Sequence, residues 1–396
     1  MAAYSPTSWV NSGPPAIDAT ALNNIEQGIV DATDTGVVEV DSFAGADDDA
    51  KLAAAVSYAA AQTYKPTMRL AARRWDFSDQ VELFTGFKLT GSGGGASVEQ
   101  PRGNTPYSTF VKISTGGDVA WLRLPASTLF GCYIGNAAFE GTSSSVFMDS
   151  AADFSGVLWT SVIENVGFSA FKHVFGTPSK RLALDAVIFR GFWNINNSYD
   201  VAVTIGGSDN QLWTDGCLLD TGDPFTSSSV VYHLNLDYME KTFIGPMYIT
   251  AERYPAGIRI NGAGNQAGLT FHGLRIEGRN KTESSYGSVI RIEGGRNVFR
   301  DCWIAYAYSD NASSPRSNEG GMVSCLGGET LFDGCTLDKA TGYSESDPAF
   351  YASGSGTKIR VSNTFTATDG GAWSQLPLVS AVNSATAVTD DTVRTS

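Results

Sequence analysis

One hexapeptide pattern returns eight times along this chain: an apolar residue, any residue, a Gly, Asn, Asp or Ala, a small or apolar residue, any residue, and a large apolar residue. The copies are Leu129-Phe-Gly-Cys-Tyr-Ile134, Ile163-Glu-Asn-Val-Gly-Phe168, Leu184-Asp-Ala-Val-Ile-Phe189, Thr214-Asp-Gly-Cys-Leu-Leu219, Phe243-Ile-Gly-Pro-Met-Tyr248, Phe271-His-Gly-Leu-Arg-Ile276, Phe299-Arg-Asp-Cys-Trp-Ile304 and Phe332-Asp-Gly-Cys-Thr-Leu337. Only Thr214 breaks the apolar first position. Their starts lie 34, 21, 30, 29, 28, 28 and 33 residues apart, spacings that belong to stacked repeats rather than to a closed globular topology.

The third position is Gly, Asn or Asp in every copy but one, where it is Ala186. Gly, Asn and Asp tolerate positive φ, so the chain is expected to bend there. Before the bend one side chain points inward, and after it the fourth and sixth do so with the strand period of two. The expectation is an all-β chain: a single-stranded, right-handed parallel β-helix in which each copy marks one rung.

Composition removes several classes of function. With 41 acidic against 27 basic residues the net charge is −14, whereas a nucleic-acid partner needs clustered Lys and Arg to neutralise phosphates. No run approaches the roughly 18 apolar residues that cross a bilayer, and the N-terminus has no basic stretch followed by an apolar core, so neither membrane insertion nor a secretion signal is expected. The three histidines, His173, His233 and His272, form no pair at ligand spacing, and no Cys-x-x-Cys occurs, so the expectation is no metal and no cofactor. Gly91-Ser-Gly-Gly-Gly95 lacks the Lys-Ser/Thr of a phosphate loop, and no Gly-x-Ser-x-Gly elbow is present. Cys132, Cys217, Cys302 and Cys335 all fall at the inward fourth position, where they read as small, reduced core fillers.

Two helices precede the rungs. Ile17, Leu22, Ile25 and Ile29 fall at helical spacing, with Asp18 as N-cap. A face that narrow needs a partner, so Leu22, Ile25 and Ile29 are expected at a subunit or docking interface. The second helix opens on Asp47-Asp-Asp49, whose carboxylates suit a helix N-terminus, and runs through the Ala-rich stretch to Ala61. A solenoid must cover its first rung, and this helix stands where a cap belongs. The expected organisation is a docking segment over 1–40, a capping-helix region over 41–66, a β-helix over 67–366 and a loosely packed tail over 367–396.

Phe43-Ala-Gly-Ala46, the Asp run, the Ala-rich helix, the Arg69-Leu70 strand, Trp75-Asp-Phe77 and Phe87-Lys-Leu-Thr-Gly-Ser-Gly93 together resemble the N-terminal signature of the pectate-lyase-like β-helix superfamily, which includes many bacteriophage tailspikes and tail fibres. The glycine usual inside the Asp run is missing, and Ala71-Ala-Arg-Arg74 replaces the usual Pro-x-Gly turn. Pro6-Thr-Ser-Trp9 through Gly13-Pro-Pro, Ile17, Ala21-Leu-Asn23 and Ile25-Glu-Gln-Gly-Ile29 is similar to a leader on phage tail-associated structural proteins. The resemblance implies a homotrimeric virion protein, made in the host cytoplasm. It would dock on a tail or baseplate component through residues 1–40 and recognise a host surface polysaccharide. An active depolymerase and a purely structural fibre are the alternatives on the same fold.

The second repeat position, just before the bend, points outward. It reads Phe130, Glu164, Asp185, Asp215, Ile244, His272, Arg300, Asp333. Were Glu164, Asp185 and Asp215 on consecutive rungs, neighbours would lie about 5 Å and next-neighbours about 10 Å apart, separations that bracket those used by glycosidases. These three are the candidate acid, base or nucleophile; the competing reading is that they hydrogen-bond the corner backbone. His272 and Arg300, with Tyr306 and Tyr308 from the longer segments, are candidate glycan contacts. Ile188, Leu218 and Met247, at the outward fifth position of three copies, form an apolar strip expected to pack against another subunit.

Overall fold

The six-residue pattern is a corner, and the positive-φ residues it contains turn one strand into the next. In a computed structural model this geometry is described for residues 36–92, 109–117, 119–195, 203–210, 212–220, 232–239, 243–251, 256–261, 268–280, 289–309, 323–339, 349–368, 379–382, 385–389 and 394–395. Among the described residues every pairing between strands is parallel, with one isolated antiparallel bridge between Thr177 and Lys180, and the chain is a parallel β-solenoid. Each turn passes through an 11-stranded sheet that runs from Val81–Glu82 to Val379–Val382, then through a 22-stranded sheet that folds over the corner. In the early turns a third sheet of three strands, Thr128–Phe130, Val157–Trp159 and Ala183–Asp185, lies between them.

Strand register corrects how the copies stack. One corner row runs Asn136, Asn165, Gly191, Gly216, Pro246, Gly273, Asp301, Gly334, Asn363. Gly131 and Ala186 belong to a second corner, one strand earlier in the turn, with Thr160 between them. Copies starting at Leu129 and Leu184 therefore do not stack on the others. Each ends on the residue, Ile134 or Phe189, that begins a copy at the first corner. The copy at Phe243 is shifted by one: Ile244 pairs with Phe271 and is fully buried, so it faces the core, and Pro246 takes the corner.

Two inward rows flank the first corner. Before it stand Ile134, Ile163, Phe189, Thr214, Ile244, Phe271, Phe299, Phe332 and Val361, all at most 3% exposed. Phe271, Phe299 and Phe332 stack ring on ring, with centroids 4.4 and 4.8 Å apart and planes within 12°. After the corner Cys217, Met247, Leu274, Cys302 and Cys335 succeed one another. Met247 is thus a core residue and not part of an outward strip. All five cysteines are buried and none is in a disulfide, with burial pushing the Cys325 thiol up to about 12; Cys132 follows the second corner, apart from Cys217, Cys302 and Cys335.

Helix Asp48–Ala61 closes the N-terminal end, burying Leu52, Ala55 and Ala59. Its acidic start is its attachment. Asp47 caps it by accepting from the Ala50 amide at 2.8 Å, Asp48 accepts from Arg73 at 2.7 Å, and Asp49 accepts from the Ser78 and Asp79 amides. Arg73 also reaches Asp41 at 2.9 Å and lies 3.4 Å above the Trp75 ring centre. At the other end, Val379–Val382, Thr386–Thr389 and Arg394–Thr395 pair in parallel with the preceding turn, so rung pairing continues beyond residue 366, where the sequence pattern placed a loose tail. Leu22, Ile25 and Ile29 lie outside the described residues.

Candidate functional site

Outward side chains beside the first corner are set by the inward ones: with Ile163, Phe189 and Thr214 in the core, period two turns Glu164, Arg190 and Asp215 out. Register places these three on consecutive strands, Glu164 against Arg190 and Arg190 against Asp215. Arg190 donates to Glu164 at 3.4 Å and stands 3.9 Å from Asp215. Asp185 is elsewhere, at the second corner, paired with Trp159. The three carboxylates are therefore not a ladder of acids. A guanidinium separates two of them, because Glu164 precedes the Asn165 corner whereas Asp185 precedes Ala186.

Glu164 is further tied to Tyr133, whose hydroxyl donates to it at 3.1 Å and accepts from Asn136 at 3.2 Å. Burial, reinforced by the Glu164 charge, pushes the Tyr133 phenol up to about 12. The Asn165 side-chain amide donates to the Asn136 Oδ1 at 3.4 Å, so the corner asparagines link one rung to the next.

Farther along, His272, Arg300 and Asp333 stand side by side on consecutive strands. Arg300 lies 3.6 Å from Asp333, and His272 lies 3.3 Å from Asp301 of the next corner. Asn363 donates to Asp333 at 3.1 Å and holds its carboxyl below the usual carboxylate range. Next to this row a cleft of about 380 Å³ opens on the same face, lined by Val298 and Leu331 together with Arg296, Glu329, Lys358 and Arg360. Lys358 and Glu329 pair across it at 2.7 Å. Tyr306 and Tyr308 lie in strand Trp303–Ser309, on the other side of the corner; their side chains are outside the described residues.

The expected apolar strip does not assemble. Ile188 pairs with Val162 and Trp213 before the first corner, Leu218 pairs with Trp193 and Tyr248 after it, and Met247 is inward. What the sequence did not single out is an aromatic pair at the second corner. Phe130 and Trp159 are 43% and 40% exposed and adjacent in register, with ring centroids 5.1 Å apart and planes 34° apart. Asp185 is next in the same row. The signal was present as Leu158-Trp-Thr-Ser-Val-Ile163, a copy of the hexapeptide hidden because Thr160 occupies the position assigned to Gly, Asn, Asp or Ala. Among the described residues no three His, Cys, Asp or Glu side chains gather as metal ligands.

No family model matches this sequence, and no curated protein matches it. Solved structures do resemble its fold. The DFA-IIIase of Arthrobacter chlorophenolicus A6, in complex with GF2, superposes with a TM-score of 0.55 at 11% identity, over 90% of this chain and 94% of that one. The A-module of the Azotobacter vinelandii mannuronan C-5 epimerase gives 0.50 at 13% identity, over 90% and 99%. A Geobacillus virus E2 protein, ORF18, also matches, with a TM-score of 0.43 at 12% identity, over 94% and 64%, too distant a superposition to bear an argument. At such low identity these likenesses bear on the fold alone, and that fold is the parallel β-helix seen here.

Proposed function

We propose that this protein binds a host surface polysaccharide as the shaft of a phage tail fibre or tailspike. The observation that carries the glycan reading is the exposed Phe130–Trp159 pair with Asp185 beside it. Two large rings bared to solvent on adjacent rungs lose apolar hydration when a sugar face covers them, and a neighbouring carboxylate accepts from its hydroxyls. The mannuronan C-5 epimerase module is named for a glycan substrate, which supports the same reading. The virion setting, the homotrimer and docking through residues 1–40 rest on the sequence resemblance.

Binding is favoured over hydrolysis by Arg190. Glycosidases set two carboxyl groups across the scissile bond, whereas Glu164 and Asp215 both face one guanidinium. The test is incubation of purified protein with host cell-wall polysaccharide, measuring retention and the release of reducing ends or unsaturated products. Retention without release is expected, and replacing Phe130 and Trp159 together by Ala lowers affinity about tenfold with the melting temperature held. Retention unchanged in that double variant removes the platform as the site; product release by the parent replaces the binder with a depolymerase.

A further inference from the structure

Past the first corner the outward row includes Tyr248, Arg275 and Trp303 on three consecutive strands. The Arg275 guanidinium carbon lies 5.0 Å from the Tyr248 ring centre and 4.3 Å from that of Trp303. Period two gives the orientation: Leu274 and Ile276 are 1% exposed or less, which leaves Arg275 exposed between them.

Arg275 differs from six other arginines of the surface. Arg69, Arg73, Arg74, Arg181, Arg190 and Arg300 each meet a carboxylate. No carboxylate pairs with Arg275 among the described residues, in a chain with 14 more acidic than basic charges. A guanidinium without an internal counter-ion keeps its planar fork of donors for an external one, and the fork matches a carboxylate through two parallel hydrogen bonds. The two rings flank that fork and restrict it, which lowers the ordering cost of binding.

We infer that Tyr248, Arg275 and Trp303 form a subsite for a carboxylate-bearing sugar of uronic-acid type. The inference rests on the glycan-binding reading and extends it, on a different corner row from Phe130 and Trp159, to a polysaccharide with acidic residues. Arg275 is the group that distinguishes acidic from neutral sugars. Tyr248 and Trp303 hold it in place.

The test uses a set of oligouronates together with the same oligosaccharides after reduction of their carboxyl groups to hydroxymethyl groups, titrated against the full chain by calorimetry and tryptophan fluorescence. The parent is expected to bind at least one oligouronate tenfold or more tightly than its reduced counterpart. Arg275→Gln, which retains the stem and a planar end, is expected to remove that difference, and Arg275→Lys to restore only part of it. Equal affinity for acidic and reduced forms, or a preference unchanged in Arg275→Gln, overturns the inference while leaving glycan binding intact. Binding of neither set overturns the glycan reading and the inference with it. The comparison of the two ligand sets on the parent protein needs no variant, so it decides the matter even where a substitution impairs folding.

Discussion

Thr160 is β-branched and yet sits at φ 47°, a conformation that costs an L-residue about 1–2 kcal/mol. It does so because its neighbours in the row, Gly131 and Ala186, turn the second corner there too, and its amide donates to the Asp185 carbonyl at 3.0 Å. Its side chain is exposed, so nothing in the core opposes replacement. Thr160→Asn should raise stability by about 1 kcal/mol, read as a higher midpoint in urea with the slope unchanged. Asp149 is strained in a different way. It is fully buried, with its carboxylate 3.2 Å from Lys180 and no well-formed hydrogen bond, and desolvation raises its pKa despite the Lys180 charge. An acid whose folded pKa is raised binds more protons in the folded state, so its contribution to stability falls as pH rises from the usual carboxylate value through the folded one. Asp149→Asn should therefore stabilise the fold, with a gain that is small near pH 3, grows as pH rises and then levels off. Thermal melts of parent and variant across that range measure it, and a gain independent of pH would refute the assignment.

Among the elements, the capping helix is held by charge and the later rungs by aromatic stacking. Arg73 ties Asp41 and Asp48 to the first rung, and both carboxyls are held below their usual range: in Asp41 hydrogen bonding from Arg73 dominates, and in Asp48 the same bonds offset desolvation. For acids with depressed folded pKa values, the stabilisation is present above the usual carboxylate value and is lost as pH falls through the folded one. Arg73→Ala should lower the neutral-pH melting temperature and flatten its decline in acid, since the two carboxylates would titrate closer to their ordinary values. In the sequence Arg73 was legible only as a departure from a Pro-x-Gly turn; that it clamps the Asp run depends on a fold that brings residues 41, 48 and 73 together. Phe299 stands between Phe271 and Phe332, each 4.8 Å away or less. Its replacement by Ala should cost about 3–5 kcal/mol, and because each rung is coupled to its neighbours the loss should reach hydrogen exchange on strands 269–272 and 329–333. Normal exchange there would mean that the stack is not a cooperative unit.

For the whole molecule, the proposed trimer has lost one of its supports, since Ile188, Leu218 and Met247 do not share a face. Light scattering on the purified chain should still give three times 42.0 kDa under the phage-fibre proposal, and a monomer would confine that proposal to the glycan site. The solenoid itself was legible because inward anchors recur near a constant spacing and a bend needs residues that accept positive φ, both of which are local properties of the chain. The cap helix was legible for the same reason, from an N-cap and a run of helix formers. Which copies stack was not local. Two corners of each early turn use the same residue types, Gly131 and Ala186 at one and Asn136, Asn165 and Gly191 at the other, and the copies overlap at Ile134 and Phe189. Sequence alone therefore determined that the chain coils and which side chains face the core at most corners. Only the tertiary structure decided the register between turns, because parallel pairing joins residues 21 to 45 positions apart, and a shift of one corner changes every outward neighbour. That choice put Arg190 between Glu164 and Asp215, separated Asp185 from both, and set Trp159 against Phe130.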